Sequence, residues 1–148
     1  MTDSCQLACL CGAIKVDLIG EPAARANCHC GTCRDFYATP MLSATAWASE
    51  NVVAHGAPKV FQHPTKRMSR AFCATCGETV FGTNRLGMRV VLNSLLARAH
   101  DGTLPANRTP TMHLFYRDRV LNVSDSLIKY LDGWDGPTVE DNDGATCS

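Results

Sequence analysis

Three cysteines fall within six residues in Cys28-His29-Cys30-Gly31-Thr32-Cys33-Arg34, spaced C-x-C-x-x-C. A packed core has no use for thiols at that density, whereas a tight loop wrapped around a metal ion does. Thiolates are preferred ligands of Zn²⁺, and short spacings let one loop supply several of them. Structural zinc takes four ligands in a tetrahedron, so the triad is one ligand short. An open fourth position would admit water or substrate. A fourth side chain would close it, and Cys5, His55, His63, His100, His113 and Cys147 are the candidates. A closed set would be a second structural zinc. His29 lies between two ligands, and its side chain is expected to point away. Cys30-Gly31-Thr32-Cys33 also has the C-x-x-C spacing of a redox pair, but no thioredoxin-like βαβ pattern surrounds it.

A second set is built from Cys9-Leu10-Cys11-Gly12 and Cys73-Ala74-Thr75-Cys76-Gly77. Each is a compact knuckle with glycine directly after the second thiol. Glycine permits a turn that aims amide N–H groups at the sulfurs and offsets their charge. Cys9, Cys11, Cys73 and Cys76 together make the four-thiolate pattern of a closed structural zinc. That zinc would pin the N-terminal hairpin to the middle of a sheet. The contrasting reading is that Cys9 and Cys11 are small buried hydrophobes beside a strand. Two knuckles with matching glycines favour zinc, and the two sets together imply two zincs per chain.

The compartment supports metal over disulfides. Nine cysteines in 148 residues is a high and odd count, so a disulfide framework would leave one over. The N-terminus has no basic segment followed by an apolar run, and no apolar stretch is long enough to span a bilayer. A cytoplasmic, thiol-reducing setting is expected. Lys+Arg and Asp+Glu both number 14, giving zero formal charge. That argues against a general electrostatic grip on nucleic acid or membrane. Arg67, Arg70 and Arg85 remain candidates for a local basic patch.

Short strands are expected along most of the chain. Ile14, Val16 and Leu18 alternate with polar residues across Ala13–Ile19. An extended segment is expected over 22–27, and strands near 40–47, 52–54, 59–62, 68–72, 79–81, 88–92 and 111–117. A helical turn fits Leu95–Ala99. Ser124-Asp125-Ser126 followed by Leu127, Ile128, Tyr130 and Leu131 predicts one short C-terminal helix. Trp47 and Phe61 are expected in the core, and His113 as a satisfied sheet histidine. The expected organisation is a single zinc-binding β domain over 1–134 with a flexible polar tail over 135–148.

These residues resemble the glutathione-dependent formaldehyde-activating enzyme family, which includes proteins related to centromere protein V. The resemblance rests on Cys9-x-Cys11-Gly12, Cys28-His29-Cys30-x-x-Cys33-Arg34 and Arg70-x-Phe72-Cys73-x-x-Cys76-Gly77. The stretch from Met112-His113-Leu114-Phe115 to Asp125-Ser126-Leu127 is similar to the family's C-terminal strand and following segment. The resemblance covers roughly 7–131 and implies a mostly-β fold of short antiparallel sheets, sometimes called a β-tent. It implies a structural zinc on Cys9, Cys11, Cys73 and Cys76, and a catalytic zinc with an open position on Cys28, Cys30 and Cys33. The implied activity is that of a carbon–sulfur lyase resembling S-(hydroxymethyl)glutathione synthase. Its partners would be glutathione and formaldehyde or a related small aldehyde.

The chain departs from the family pattern at two places. Members often carry Gly-Ser a few residues after the triad's arginine, where this chain has Ala38-Thr39. They often carry serine after the second knuckle's glycine, where this chain has Glu78. The expected mechanism has a substrate thiol deprotonated at the triad's zinc, with Arg34 offsetting the accumulated negative charge. The rival from another class is a binding module with two structural zincs and no chemistry. A fourth protein ligand on the triad separates the two.

Overall fold

Along Lys15–Ile19, Val16 and Leu18 point inward while Lys15 and Ile19 are exposed, the period-two signature of a half-buried strand. The computed structural model describes residues 4–139. It carries Ser4–Ala8 (β1), Lys15–Ile19 (β2), Ala24–Cys28 (β3), Gly31–Tyr37 (α1), Leu42–Trp47 (β4), Val52–His55 (β5) and Lys59–Gln62 (β6). There follow Ser69–Phe72 (β7), Thr79–Thr83 (β8), Arg89–Leu92 (β9), Asn93–Ala99 (α2), Met112–Leu114 (β10) and Ile128–Lys129 (β11). The protein is therefore mostly β, as expected. No helix among the described residues is long and apolar enough to cross a membrane.

The chain forms two compact units. The first comprises the chain up to Ala24 together with Thr45–Arg108. In it β2 pairs antiparallel with β1 (Leu7 opposite Val16) and with β5 (Leu18 opposite Val52). The run β6–β7–β8–β9 is also antiparallel, with a bulge at Ala71/Phe72. Leu7, Val16, Leu18, Trp47, Val52, Val80, Val91 and Leu96 fill its core. Each such side chain contributes about 1.5–3 kcal/mol on burial. Trp47 is fully buried, and its indole N–H donates to the Gly20 carbonyl at 3.0 Å. Phe61, expected in the core, is 42% exposed.

The second unit comprises Arg25–Ala44 and the chain from Thr109 onward. Here β10 pairs in parallel with both of its neighbours, a departure from the expected antiparallel sheets. β10 lies between β3 and β11, with His113 opposite both Asn27 and Lys129. The His29 N–H donates to the Leu114 carbonyl at 2.9 Å and carries the ladder one residue past β3. Parallel partners need a long crossover, and the chain between β3 and β10 supplies one.

The expected C-terminal helix over 124–131 does not form. Asp125, read as its cap, spends its carboxylate on the Leu127 N–H, the Lys129 ammonium and the His113 ring. The bond to Leu127, two residues on, is an Asx turn that competes with helix. Ile128 is exposed, so the apparent helical stripe has no core to face. The two helices sit elsewhere. α2 extends the expected turn at Leu95–Ala99, while α1 begins inside the cysteine triad and was not foreseen. β1 was likewise missed. From Asp135 the description reaches residue 139, where Leu131 N–H donates to Pro137 O and Val139 N–H to Lys129 O. Residues 140–148, Cys147 among them, lie outside the described residues.

Candidate metal centres

The four-cysteine set lies in the first unit. All four sulfurs lie within 4.8 Å of one another. Cys9 and Cys11 are 3.7 Å apart, and Cys11 and Cys73 are 3.6 Å apart. A tetrahedral ion with metal–sulfur bonds of ~2.3 Å spaces its ligands ~3.8 Å apart, so the set fits such an ion. Gly12 and Gly77 both turn the backbone at positive φ, +80° and +79°, where a side chain is disfavoured. Amide donors then reach the sulfurs, Ile14 N–H to Cys9 at 3.3 Å and Cys76 N–H to Cys73 at 3.5 Å. Burial raises the Cys9 thiol. The Ile14 N–H and contacts from Cys11, Cys73 and Cys76 outweigh it and bring the thiol down to about 6.

Glu78, the departure from the family pattern, ties this set together. One carboxylate oxygen accepts from Leu10 N–H at 2.9 Å and from Arg98 at 2.6 Å; the other takes Arg98 at 3.0 Å. Arg98 also donates to the Ala8 carbonyl at 2.8 Å. A single acid–base pair thus joins both knuckles and α2. The Glu78 hydrogen bond holds the Arg98 guanidinium above its ordinary pKa.

The triad lies in the second unit, where β3 ends and α1 begins. Cys30 is the N-cap of α1, and its sulfur accepts the Cys33 N–H at 3.2 Å. The three sulfurs lie within 4.8 Å of one another and all three residues are half-buried. Among the described residues no fourth histidine, cysteine or carboxylate joins them. The candidates for that place are otherwise engaged. His55 pairs with Asp17, His63 accepts from Thr65 and Lys66, and His100 contacts the Leu96 carbonyl. Cys5 is half-buried in the first unit, and Cys147 lies outside the described residues.

Hydrogen bonds from Cys28 and Cys33, with the backbone N–H groups of Cys33 and Thr32, pull the Cys30 thiol down to about 3. The hydrogen bond with Cys30 pushes the Cys28 thiol up to about 12, and contact with Cys28 and Cys30 pushes Cys33 up as well. Such a set readily exchanges protons for a metal ion, since ligation requires thiolates. Arg34 folds back over the loop, and its Nε donates to the His29 carbonyl at 3.2 Å.

Behind the loop lies a group that sequence reasoning missed. His29 is fully buried and its Nε2 is 2.8 Å from Nδ1 of His113, itself fully buried. His113 Nε2 is 2.8 Å from Asp125 Oδ2. His113, weighed as a fourth ligand, is thus a partner of His29. Strand alternation alone puts His29 opposite the thiols, but no sequence signal joins it to residues 113 and 125. Burial is the main cause that holds the His29 imidazolium down to about 4, and the Arg119 and Arg34 guanidiniums add to it. Arg67, Arg70 and Arg85 belong to the first unit. A cavity of about 550 Å³ in that unit, lined by Glu50, Val60, Phe81 and Arg89 among others, contains none of these thiols.

Comparison with known proteins gives one informative match. The family model of the glutathione-dependent formaldehyde-activating enzyme covers residues 4–118, which include both cysteine sets. No curated protein matches the chain. A solved structure of a Rhodobacter sphaeroides protein, a structural genomics target, is similar over 68% of this chain and 97% of its own, at 21% identity and a TM-score of 0.47. With most of its length matched and both cysteine sets inside the match, this chain belongs to the glutathione-dependent formaldehyde-activating enzyme family.

Proposed function

We propose that the protein is a cytoplasmic carbon–sulfur lyase that binds two zinc ions and joins the thiol of glutathione to formaldehyde, or runs that reaction backwards. The observation that carries this reading is the contrast in ligand number. Four cysteines complete one set, whereas three half-buried cysteines meet in the other without a fourth partner among the described residues. In this reading Cys9, Cys11, Cys73 and Cys76 hold a structural ion, and Cys28, Cys30 and Cys33 hold the ion at which substrate binds. Zinc bound there supplies an acid that makes an arriving thiol a thiolate at neutral pH.

The chain's own residues have separate tasks. Cys28 and Cys30 leave the end of β3 on one face, and the capping bond from Cys33 N–H to Cys30 fixes the third thiol relative to them. Arg34, held on the loop through His29 O, offsets the negative charge that accumulates when a fourth sulfur arrives. The net reaction forms one S–C bond, breaks the carbonyl π bond and moves the thiol proton to the carbonyl oxygen. The reverse restores all three.

The test follows exchange between glutathione-bound and free ¹³C-formaldehyde by NMR, above the uncatalysed rate. Wild-type protein should accelerate it. Cys30→Ser should fall to the uncatalysed rate while keeping its fold and one zinc. Full acceleration by that variant would contradict the proposal. A wild-type protein with two zincs but no acceleration would favour the binding module.

A further inference from the structure

We infer that Asp125, His113 and His29 form a one-way hydrogen-bond chain that positions the Cys28–Cys33 loop from behind, with Asp125 setting its direction. The inference rests on the reading that this loop holds a metal ion. Residues alternate across the end of β3: Asn27 and His29 are buried, while Cys28 and Cys30 are half-exposed. His29 therefore faces away from the thiols it separates. Its main chain is fixed at both ends, by N–H to Leu114 O and by its carbonyl to Arg34. Its ring completes the anchor through His113.

The direction of the chain follows from donor and acceptor counting. Asp125 Oδ1 takes the Lys129 ammonium at 2.9 Å and the Leu127 N–H at 3.1 Å, and Oδ2 faces His113 Nε2 at 2.8 Å. An ionised carboxylate only accepts. His113 must then carry its proton on Nε2. In a neutral ring that leaves Nδ1 as an acceptor, so the bond to His29 is donated by His29 Nε2. The remaining nitrogen, His29 Nδ1, is a bare lone pair. It is buried and has no hydrogen-bond partner, so nothing at that end opposes the order set by Asp125. A ring whose tautomer is fixed at a distance is an orienting device of the kind that surrounds metal ligands. His29, His113 and Asp125 are thus positioning residues.

Asp125→Asn tests this because its outcome is constrained. Lys129 and Leu127 both donate to Oδ1, so the amide oxygen must stay there and the NH₂ must face His113. His113 Nε2 would then accept, and both rings would invert to the Nδ1–H form, leaving a buried donor on His29. The experiment uses ¹⁵N-labelled, zinc-loaded full-length protein and reads ring tautomers by long-range ¹H–¹⁵N correlation. Zinc loss to a chelator is followed in parallel. Wild-type protein should show Nε2–H tautomers at both His29 and His113. The variant should show inverted tautomers and lose the triad's zinc to the chelator faster than wild type, with the four-cysteine zinc retained.

A wild-type His29 protonated on Nδ1, or a His113 protonated on both nitrogens, would overturn the inference. So would a variant with unchanged tautomers and unchanged zinc retention. Should the variant lose both zincs through misfolding, the wild-type spectrum decides alone. Neither readout needs glutathione or formaldehyde, so failure of the proposed activity is seen separately.

Discussion

The two cysteine sets use the same ligand chemistry in opposite surroundings. Cys9 and Cys73 sit inside the hydrophobic core, 3% and 1% exposed, and belong to its packing. Glycine turns shape their knuckles, and Glu78 with Arg98 joins them. Cys28, Cys30 and Cys33 are half-buried at the junction of a strand and a short helix, and beside them the buried His29 and His113 lead out to the exposed Asp125. In the first set Cys11 is exposed and Cys76 half-buried, so that set is rooted in the core and reaches the surface, and its four thiols could complete a tetrahedral ion. Three ligands at a half-exposed junction leave an ion able to meet a small molecule. Ligand number, four against three among the described residues, separates the two sets more clearly than cysteine spacing or burial does.

The largest expected effect breaks the first region. Cys73→Ser removes a ligand of the closed set and, with it, on the order of 10 kcal/mol of metal-linked folding energy. That is comparable to the whole margin of a small domain, so cooperative thermal unfolding of the first unit should vanish. Cys30→Ser should leave the same calorimetric transition in place and lower zinc content by one ion per chain. If the two variants unfold alike, the division of labour between the sets is wrong.

Glu78→Ala sharpens the comparison without touching a ligand. It removes the acceptor shared by Leu10 and Arg98 and should cost about 1–2 kcal/mol in urea unfolding, reduced by the exposure of Arg98. Zinc should leave the four-cysteine set faster, with the triad unaffected. Ala38→Gly acts in the other direction. Ala38 closes α1 in the left-handed region at φ +52°, which costs a residue with a Cβ about 1–2 kcal/mol. Glycine removes most of that cost, so the variant should be about 1 kcal/mol more stable.

The smallest effect is in acid. The Asp125 carboxyl is desolvated, but hydrogen bonds from His113 and Lys129 outweigh that and hold its pKa below the usual value. A depressed carboxyl stabilises the fold fully above its unfolded pKa of ~3.9. That contribution is lost as pH falls through the lower folded value. Wild type should therefore exceed Asp125→Asn in stability at neutral pH, and the gap should close below about pH 3 in acid titrations followed by circular dichroism.

Much of the molecule was legible because its signals are local. Val16 and Leu18 alternate, Gly12 and Gly77 mark turns, and the seven thiols announce themselves by spacing. α1 was hidden because its residues read first as a ligand loop, and only the Cys30 cap reveals a helix. The parallel pairing of β3 with β10 joins segments more than eighty positions apart, and no local pattern encodes it. The same distance hid the His29–His113 contact. Asp125 misled because an Asx turn and a helix cap use the same residue types. Ala38 and Glu78 were visible as departures, yet their meaning needed a backbone angle and an ion pair.

The most direct test of the account is the sulfur coordination of zinc in the fully loaded protein, measured by X-ray absorption before and after saturation with glutathione. Four thiolates in one set and three in the other predict a mean of about 3.5 sulfurs per zinc, rising to about 4 when a substrate thiol takes the remaining position. A mean of about 4 before glutathione is added, or one that stays near 3.5 afterwards, would contradict it.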